Sequence, residues 1–385
     1  WGQPTELASG TVTTDNSGAF TVEFLAAADA SIARQADPTF TYTVRAQVVD
    51  INGETQDGDT QLSVGYRSID INVALGAAID RNTDSIRVEV KNLNGQAQDV
   101  PMDITIERLQ APTLPLRERR WERPDRGTID RAQHDQLFPA NVFADEDDPL
   151  NWPVQAVVME RKAWRAAGKA FPLDTKARLA PGTYAIRVMA KDAAGTEVVV
   201  RKNFTVFDPQ STTNGFAEAF HVHPVKARVQ PGEQAVLLVA SALPNARVLL
   251  EVERNGKITE RRWITLANDQ QRIELSAAES DRGGFTAHLR SVERGREHRS
   301  STFIDVPWTN KELQVEWMTF RDKLLPGAKE EWRLRITGEK NAKVAAQVLA
   351  AMYDASLDRF VEHDWSLALW PNNDTELTWR NSALM

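Results

Sequence analysis

The sequence contains no cysteine, so it forms no disulfide bond, offers no thiolate to a metal ion and has no thiol nucleophile. Long hydrophobic runs are also missing, and no stretch approaches the roughly 18 apolar residues that a membrane-spanning helix requires. We therefore expect no direct membrane insertion by this chain. It starts at Trp1 with neither an initiator methionine nor a signal peptide, which indicates a piece of a longer protein.

Charge of either sign is not strongly in excess, because the net charge is only −8 over 385 residues. This mild balance argues against a nucleic-acid footprint and against a polybasic membrane surface. With 42% hydrophobic and 26% charged residues, the composition is that of a folded protein rather than a collagen-like or disordered one. The length exceeds what one core serves, and about 100 to 200 residues per domain predicts two to four domains.

Long amphipathic helices are absent from the pattern, and short runs of alternating apolar and polar residues predominate. Alternation bounded by turn residues is typical of half-buried antiparallel strands. One strand is predicted at residues 19–24 behind the turn at 15–18, and a hairpin at 42–50 and 61–65 turned by Asn52 and Gly53. Residues 1–67 are therefore predicted to form one small sandwich.

The same plan recurs further along, where residues 179–188 lead through the Gly-containing turn at 190–195 into a strand over 196–207. Pro231-Gly232 and Pro326-Gly327 are turn dipeptides, each placed before a predicted strand. This spacing divides the chain near residues 67, 207 and 307. We expect an all-β fold of tandem antiparallel β-sandwich domains at 1–67, 68–207, 208–307 and 308–385, the last one incomplete.

Two segments fit this template less well. Residues 112–172 are rich in Arg, Pro, Trp and acidic residues and are predicted to be an insertion within the second sandwich. Inside it, residues 154–164 suit a helix by composition and a strand by template, and we favour the strand. Residues 342–357 are Ala-rich and helix-prone, yet their alternation favours a central buried strand.

The candidate metal ligands are His221 and His223, which alternation places on one face of a strand. No third ligand is evident near them, so a structural strand-edge pair is the preferred interpretation. The acidic run at residues 145–148 lacks the spaced Asp and Gly pattern of a calcium loop, and a solvated loop is preferred. No metal ligand and no cofactor is assigned.

The basic aromatic cluster at residues 117–125 combines the side chains that dominate interfaces, but its interleaved acids favour internal ion pairing. No Gly-x-Ser-x-Gly elbow and no phosphate-binding glycine loop occurs, so no catalytic residue is assigned and the chain is predicted not to be an enzyme. Core packing is the preferred interpretation for the tryptophans on or beside alternating strands, rather than a sugar-binding face. These are Trp263, Trp308, Trp317, Trp332 and Trp365.

A family resemblance runs through the chain. Residues 343–358 (KVAAQVLAAMYDASLD) resemble an alpha-2-macroglobulin strand that ends in an aspartate before a short helix. Residues 246–256 (ARVLLEVERNG), followed by 304–307 (IDVP), resemble the family's domain upstream of the bait-bearing one, and residues 10–20 resemble an earlier domain of bacterial members. The order of these segments also fits. The resemblance implies macroglobulin-like, fibronectin- or immunoglobulin-like sandwiches.

The resemblance implies a structural segment of a broad-spectrum protease trap in the bacterial cell envelope, periplasmic or outer-membrane associated, or secreted, with proteases as partners of the full-length parent. The family's thioester requires a cysteine, so none lies in this chain. In the family the bait is associated with the domain that Trp308 onward resembles, but no bait residue is assigned. Two alternatives stay open, a cell-surface scaffold or adhesion array and a carbohydrate-binding accessory module.

Overall fold

The structure is a computed structural model, and it describes residues 5–34, 37–49, 53–117, 119, 122, 127, 129–173, 179–319, 321, 327–338, 348, 358, 370 and 373. The chain divides into two compact units. The first unit comprises residues 1–112 and 143–207, and the second comprises residues 113–142 and 208–385. Each unit is described by itself.

The first unit opens with a β-hairpin. Strands β1 (Thr39–Val49) and β2 (Thr55–Gly65) pair antiparallel with Val49 opposite Thr55. Gly53, in the turn, has a φ of +82°, a conformation that a side chain would strain. The hairpin predicted at residues 42–65 is confirmed.

The strand predicted at residues 19–24 is wrong. The turn before it is present, since the Asp15 carboxylate accepts hydrogen bonds from the backbone N–H groups of Ser17 (2.8 Å) and Ala19 (2.9 Å). The residues that follow belong to no strand, and Phe20 and Val22 are exposed. Phe24 packs against Tyr42 with ring centroids 5.7 Å apart, but no described strand pairs with residues 19–24. Alternation stabilises a strand only where a partner edge exists.

The main body of the first unit is a sandwich of two sheets, called the first-unit sandwich. Its three-stranded sheet has the order β3-β5-β8, and its five-stranded sheet has the order β4-β10-β9-β6-β7. Apart from the parallel β4–β10 pair, the pairs are antiparallel. The strands are β3 (Ile69–Ala74), β4 (Ala78–Asp80), β5 (Ser85–Asn92), β6 (Met102–Leu109), β7 (Val154–Trp164), β8 (Phe171–Pro172), β9 (Gly182–Lys191) and β10 (Glu197–Phe207), with a 3-10 helix at Pro149–Asn151.

One apolar core fills the space between these sheets. In β5, Val88 and Val90 point inward while Arg87 and Glu89 do not, which is the period of two expected of a strand with one buried face. Tyr184 and Phe204 stack in the core at a centroid distance of 5.6 Å, and both rings are fully buried. Burial of such side chains stabilises each by about 1.5 to 3 kcal/mol relative to exposure.

The segment predicted as an insertion contains both sandwich strands and other structure. Residues 154–164 form β7, which confirms the strand interpretation, and β8 also lies within the predicted insertion. Helix α1 (Arg131–Leu137) begins behind Asp130, whose carboxylate accepts a hydrogen bond from Gln133 N at 2.8 Å. Residues 113–142, which include α1, belong to the second unit. The four domain boundaries drawn from the sequence stay predictions.

A four-residue turn starting with Asp or Asn recurs in the first unit. The carboxylate of Asp192 and the amide oxygen of Asn92 each accept hydrogen bonds from backbone N–H groups two and four residues ahead. The fourth residue is glycine in each case, with a φ of +81° at Gly95 and +82° at Gly195. The side chain thus substitutes for a backbone acceptor, and this fixes the hairpin register.

The second unit contains a seven-stranded sandwich, called the second-unit sandwich. A three-stranded sheet of order β11-β12-β15 faces a four-stranded sheet of order β14-β13-β16-β17, and the pairs are antiparallel. The strands are β11 (His221–Lys226), β12 (Gln234–Ala240), β13 (Ala246–Arg254), β14 (Lys257–Leu266), β15 (Gln270–Ser276), β16 (Phe285–Glu293) and β17 (Arg296–Ile304).

The core of this sandwich is one cluster of buried side chains, whose members range in the sequence from Val229 to Val306. It includes Leu237, Leu250 and Leu289, each at most 2% exposed. Two 3-10 helices lie at its end, Glu279–Asp281 and Thr309–Lys311, and a hairpin of β18 (Gln314–Thr319) and β19 (Arg333–Thr337) follows. The all-β fold of antiparallel β-sandwiches is confirmed. The strand predicted at residues 342–357 lies outside the described residues except for Val348.

Gly284 is the position where a side chain would be least tolerated. Its φ is +95°, and an added Cβ would overlap the Phe303 ring and lie 2.8 Å from the Ile304 carbonyl oxygen. We expect Gly284→Ala to destabilise the second-unit sandwich by about 2 to 4 kcal/mol. Local amide hydrogen exchange of β16 and β17, read by mass spectrometry, measures the effect. Gly256→Ala is the matched control, since its φ is +73° and its Cβ meets nothing within 4 Å. Equal loss in both variants would contradict the steric explanation.

Asp192 links stability to pH. The N–H of Ser68, followed by those of Thr196 and Ala194, lowers the pKa of this carboxyl below its ordinary value of 3.8. The carboxylate therefore stabilises the fold fully above that value, and the contribution is lost as the pH falls through the lowered pKa. We expect Asp192→Asn to lower the urea midpoint at pH 6, with the deficit shrinking towards pH 2. The exposed Asp57→Asn is the control, and a deficit independent of pH would contradict the prediction.

Candidate functional site

The end of the second-unit sandwich, where the chain leaves β17 and passes into Pro307–Lys311, carries a dense polar network. Its centre is the Arg282 side chain, which is 9% exposed. One guanidinium nitrogen, Nη1, donates to the Pro307 carbonyl at 2.6 Å. A carbonyl on the exit segment is thereby tied to the loop between β15 and β16.

Glu279 and Thr309 complete the ring around Arg282. Glu279 accepts from Arg282 Nε at 2.6 Å and from Nη2 at 3.3 Å, and the same carboxylate accepts from Asn310 Nδ2 at 3.2 Å. The Thr309 hydroxyl donates to Gln230 Oε1 at 3.0 Å. Bidentate pairing of arginine with a carboxylate fixes geometry as well as adding energy. We call Gln230, Glu279, Arg282, Pro307, Thr309 and Asn310 the junction network.

The loop that presents Arg282 depends on two glycines. Gly283 and Gly284 have φ values of +90° and +95°, and Gly283 N donates to the Val306 carbonyl at 2.9 Å. Residues with a Cβ disfavour such φ values, so the glycine pair allows the backbone to turn back towards the exit segment. The sequence Asp281-Arg282-Gly283-Gly284 therefore encodes the loop locally.

Asp281 anchors the other side of this loop and is 4% exposed. Its carboxylate accepts from Ala278 N at 2.8 Å and from Arg254 Nη1 at 2.9 Å. Arg254 lies 4.1 Å from the centroid of the Phe285 ring, a cation–π contact. A buried charge that loses its partner is strongly destabilising, which makes the loop conformation sensitive to either residue.

Two described residues far along the chain also reach this end of the sandwich. Asn373 N donates to the Gly283 carbonyl at 2.7 Å, and its side-chain amide nitrogen donates to Asn255 Oδ1 at 3.2 Å. The Trp370 ring lies 5.4 Å from the Trp308 ring, between centroids. Residues 370 and 373 thus add a fourth part of the sequence to the three that form the junction network.

A second polar cluster lies on the outer face of the four-stranded sheet. His288 Nδ1 lies 2.9 Å from the Ser301 hydroxyl, and Nε2 lies 2.9 Å from the Glu253 carboxylate. In serine hydrolases the serine meets Nε2 and the carboxylate meets Nδ1, the reverse of this order. His288 is also only 4% exposed. The cluster is therefore best explained as a buried polar row that joins β13, β16 and β17.

The candidate metal ligands adopt a different role. His221 stacks on Phe216 with centroids 3.8 Å apart, and His223 lies 6.3 Å from His221. Burial lowers the pKa of His221 to about 4, so the ring is neutral at pH 7. Within the described part of the chain, no three His, Cys, Asp or Glu side chains come together as a metal-binding group.

Backbone hydrogen bonds hold both the acidic run and the described part of the basic cluster. Glu146 accepts from the N–H of Ala144 at 2.7 Å, and Asp148 accepts from Leu150 N at 2.9 Å at the start of a 3-10 helix. In the basic cluster, Arg117 N donates to the Ala140 carbonyl at 2.7 Å. Of residues 117–125, only 117, 119 and 122 are described.

The tryptophans depart from the prediction of core packing. Trp263 is 58% exposed and Trp317 is 51% exposed, so these two do not lie in a core. The reason is register: Ile264 and Leu266 of β14 face the core, and alternation places Trp263 on the opposite face. Trp332 lies against Trp317 at 5.8 Å between centroids, and Trp365 lies outside the described residues.

Sequence reasoning did not identify the junction network. Its members come from residues 230, 279–282 and 307–310, which are far apart in sequence and individually unremarkable. The one local signal is the Gly-Gly pair behind Asp-Arg, because adjacent glycines before a strand mark an unusual backbone path.

None of the helices in the described residues has the length and apolar character needed to cross a membrane.

Comparison with known protein families gives a match to one part of the chain. Residues 220–358 match the alpha-2-macroglobulin bait region domain. No curated protein matches the chain. The match covers the second-unit sandwich and continues past Trp308, so it includes every residue of the junction network.

Solved structures similar to the chain include two bacterial alpha-2-macroglobulins. The native form of the Escherichia coli protein is 12% identical, with a TM-score of 0.26. The match covers 78% of this chain and 19% of the Escherichia coli chain. The Salmonella protein reacted with methylamine is 13% identical, with a TM-score of 0.29. The match covers 80% of this chain and 19% of the Salmonella chain. A tetra-tandem repeat from the extending region of a large adhesion protein is 14% identical, with a TM-score of 0.20. The match covers 73% of this chain and 60% of the repeat protein.

The chain thus spans about a fifth of the length of these two alpha-2-macroglobulins. At these scores the family assignment depends on the domain match. Residues 220–358 match the alpha-2-macroglobulin bait region domain, which supports the family resemblance for this part of the chain.

Proposed function

We propose that the chain is a structural segment of an alpha-2-macroglobulin-like protease trap, without chemistry of its own. In this proposal it is a β-sandwich arm that positions the bait and the downstream thioester regions of a longer parent protein. Proteases are then partners of the parent, which would work in a bacterial envelope or outside the cell. The observation that carries the proposal is the bait region domain match, which extends across the junction network.

The short connections of the second-unit sandwich support the role of a resistant arm. Two of its hairpins turn through Asn255-Gly256 and Arg294-Gly295, and all four residues have positive φ values. Such two-residue turns match the twist of the flanking strands, and the strands are paired up to the turn residues. The connection at residues 277–284 is longer, but Asp281 and Arg282 hold it. A protease must bind several residues in an extended form, and these turns do not supply them.

The junction network supports the positioning role. Hydrogen bonds to a charged group contribute about 1.5 to 3 kcal/mol each, and more is lost when a buried partner is left unpaired. Arg282 makes such bonds both to its own loop and to the exit segment. Strain on the chain beyond Pro307 is therefore transmitted to the sandwich rather than absorbed by a free linker.

Limited proteolysis tests the resistant arm. Arg294 lies in a tight turn, so we expect trypsin to cut the folded chain slowly after this residue. Insertion of a flexible Gly-Ser segment between Arg294 and Gly295 should make the same bond cleavable, and mass spectrometry of the fragments compares the two rates. Equally fast cleavage of both proteins would show that the sandwich opens readily and is not a resistant arm.

The junction is tested in the full-length parent. We expect Arg282→Ala to lower protease retention while the parent is still cleaved at its bait, because the arm no longer holds its direction. The matched control is Arg272→Ala, whose guanidinium pairs with Glu274 on an exposed strand surface. Retention is measured on native gels and the cut sites by mass spectrometry.

The same experiment separates the trap from the two alternatives. Cleavage confined to one segment, with a change of shape and a retained protease, is the result expected of a trap. Scattered cuts without a change of shape would contradict it and favour a surface scaffold. A normal retention by the Arg282→Ala parent would contradict the positioning role of the junction alone.

A further inference from the structure

The outer face of the four-stranded sheet carries a row of side chains that the junction and the core do not use. Leu249 lies opposite Trp263 on one side and opposite Arg290 on the other, and Arg290 lies opposite Arg299. Directly opposite residues of antiparallel strands point to the same face. Trp263, Leu249, Arg290 and Arg299 therefore form a continuous row across all four strands.

This row is open to solvent and partly apolar. Trp263 is 58% exposed, and Val292 is 71% exposed one row along. The Arg247 guanidinium lies 4.7 Å from the centroid of the Trp263 ring, so the indole is held in place by a cation–π contact. We call Arg247, Leu249, Trp263, Arg290, Val292 and Arg299 the arginine–tryptophan face.

Basic side chains outnumber acidic ones on this face, where Arg247, Arg290 and Arg299 lie with Glu297, the residue opposite Val292. Arg299 pairs with Glu297 at 2.8 Å, but Arg290 forms no ion pair or hydrogen bond with any residue that the structure describes. Arg290 is half-buried in the middle of the row. The whole chain has a net charge of −8. A half-buried guanidinium that pairs with none of the described residues can bind a planar carboxylate through two parallel hydrogen bonds.

We propose that the arginine–tryptophan face docks an extended acidic segment of a partner protein. A carboxylate of that segment pairs with Arg290, and an apolar side chain beside it covers Leu249 and the Trp263 ring. Arginine and tryptophan are the residues that most often carry binding energy at interfaces, and here both are presented on a rigid sheet. The inference does not depend on the protease-trap proposal.

Fluorescence anisotropy of labelled peptides tests the docking of an acidic segment. The probe is a peptide of about ten residues, long enough to cross a sheet of this width, in which Glu alternates with Tyr. Peptides in which Gln or Lys replaces Glu are the comparison probes. We expect the Glu peptide to bind the whole chain at least about tenfold more tightly than the Gln peptide, and to lose affinity as salt rises from about 0.05 M to about 0.5 M.

Variants assign the binding to the face. Arg290→Gln and Trp263→Ala should each weaken the Glu peptide by about tenfold, while Arg290→Lys should recover only part of the affinity because it lacks the planar fork. Arg272→Gln, on the other sheet, is the matched control and should change nothing. Circular dichroism of each variant shows whether the sandwich is still folded.

Three results would overturn the proposal. One is equal or absent binding of the Glu and Gln peptides, and another is an unchanged affinity in folded Arg290→Gln. The third is a concentration-dependent dimer in sedimentation that Trp263→Ala abolishes, since the face would then be an interface between two copies of this chain.

Discussion

Face-to-face packing of two sheets around one apolar core is the interaction on which each sandwich depends. A sheet with one apolar face must cover it, and a second sheet whose strands alternate in the same way provides the cover. The cores of the first-unit and second-unit sandwiches are separate clusters with no shared residue. Because hydrophobic burial supplies most of the stability, each sandwich has its own source of stability, and the segments between them are free to specialise.

Charged side chains have a separate role at the end of the second-unit sandwich. Inside the sandwich, alternation leaves no room for charge, whereas at its end Arg282 and Asp281 are almost fully buried and hold the exit segment. Burial of charge is costly unless every partner is in place, so such a network favours one arrangement of the exit segment over its competitors. In the positioning role proposed above, a single direction matters more than a large gain in stability.

Local chemistry was the part of the fold that the sequence could predict. The hairpins at residues 42–65 and 182–207 follow from turn residues and alternation, both of which act within a few positions. The strand at 19–24 failed because a strand also needs a distant partner edge. The prediction of core packing for Trp263 was wrong because Trp263 and Ile264 lie on opposite faces of β14, and the apolar core lies on the side of Ile264. The junction network was missed since its parts meet only after folding.

The same reasoning explains why His221, the best metal candidate in the sequence, does not form a metal site with the described residues. Two histidines with a spacing of two share a strand face, and this satisfies the geometry of a ligand pair. What decides their role is the neighbour, and here it is the Phe216 ring against His221 rather than a third ligand. Desolvation then keeps the imidazole neutral, and it packs as an uncharged ring against Phe216. Spacing therefore predicts which side chains can meet, while the chemistry at the meeting point is decided by residues from other strands.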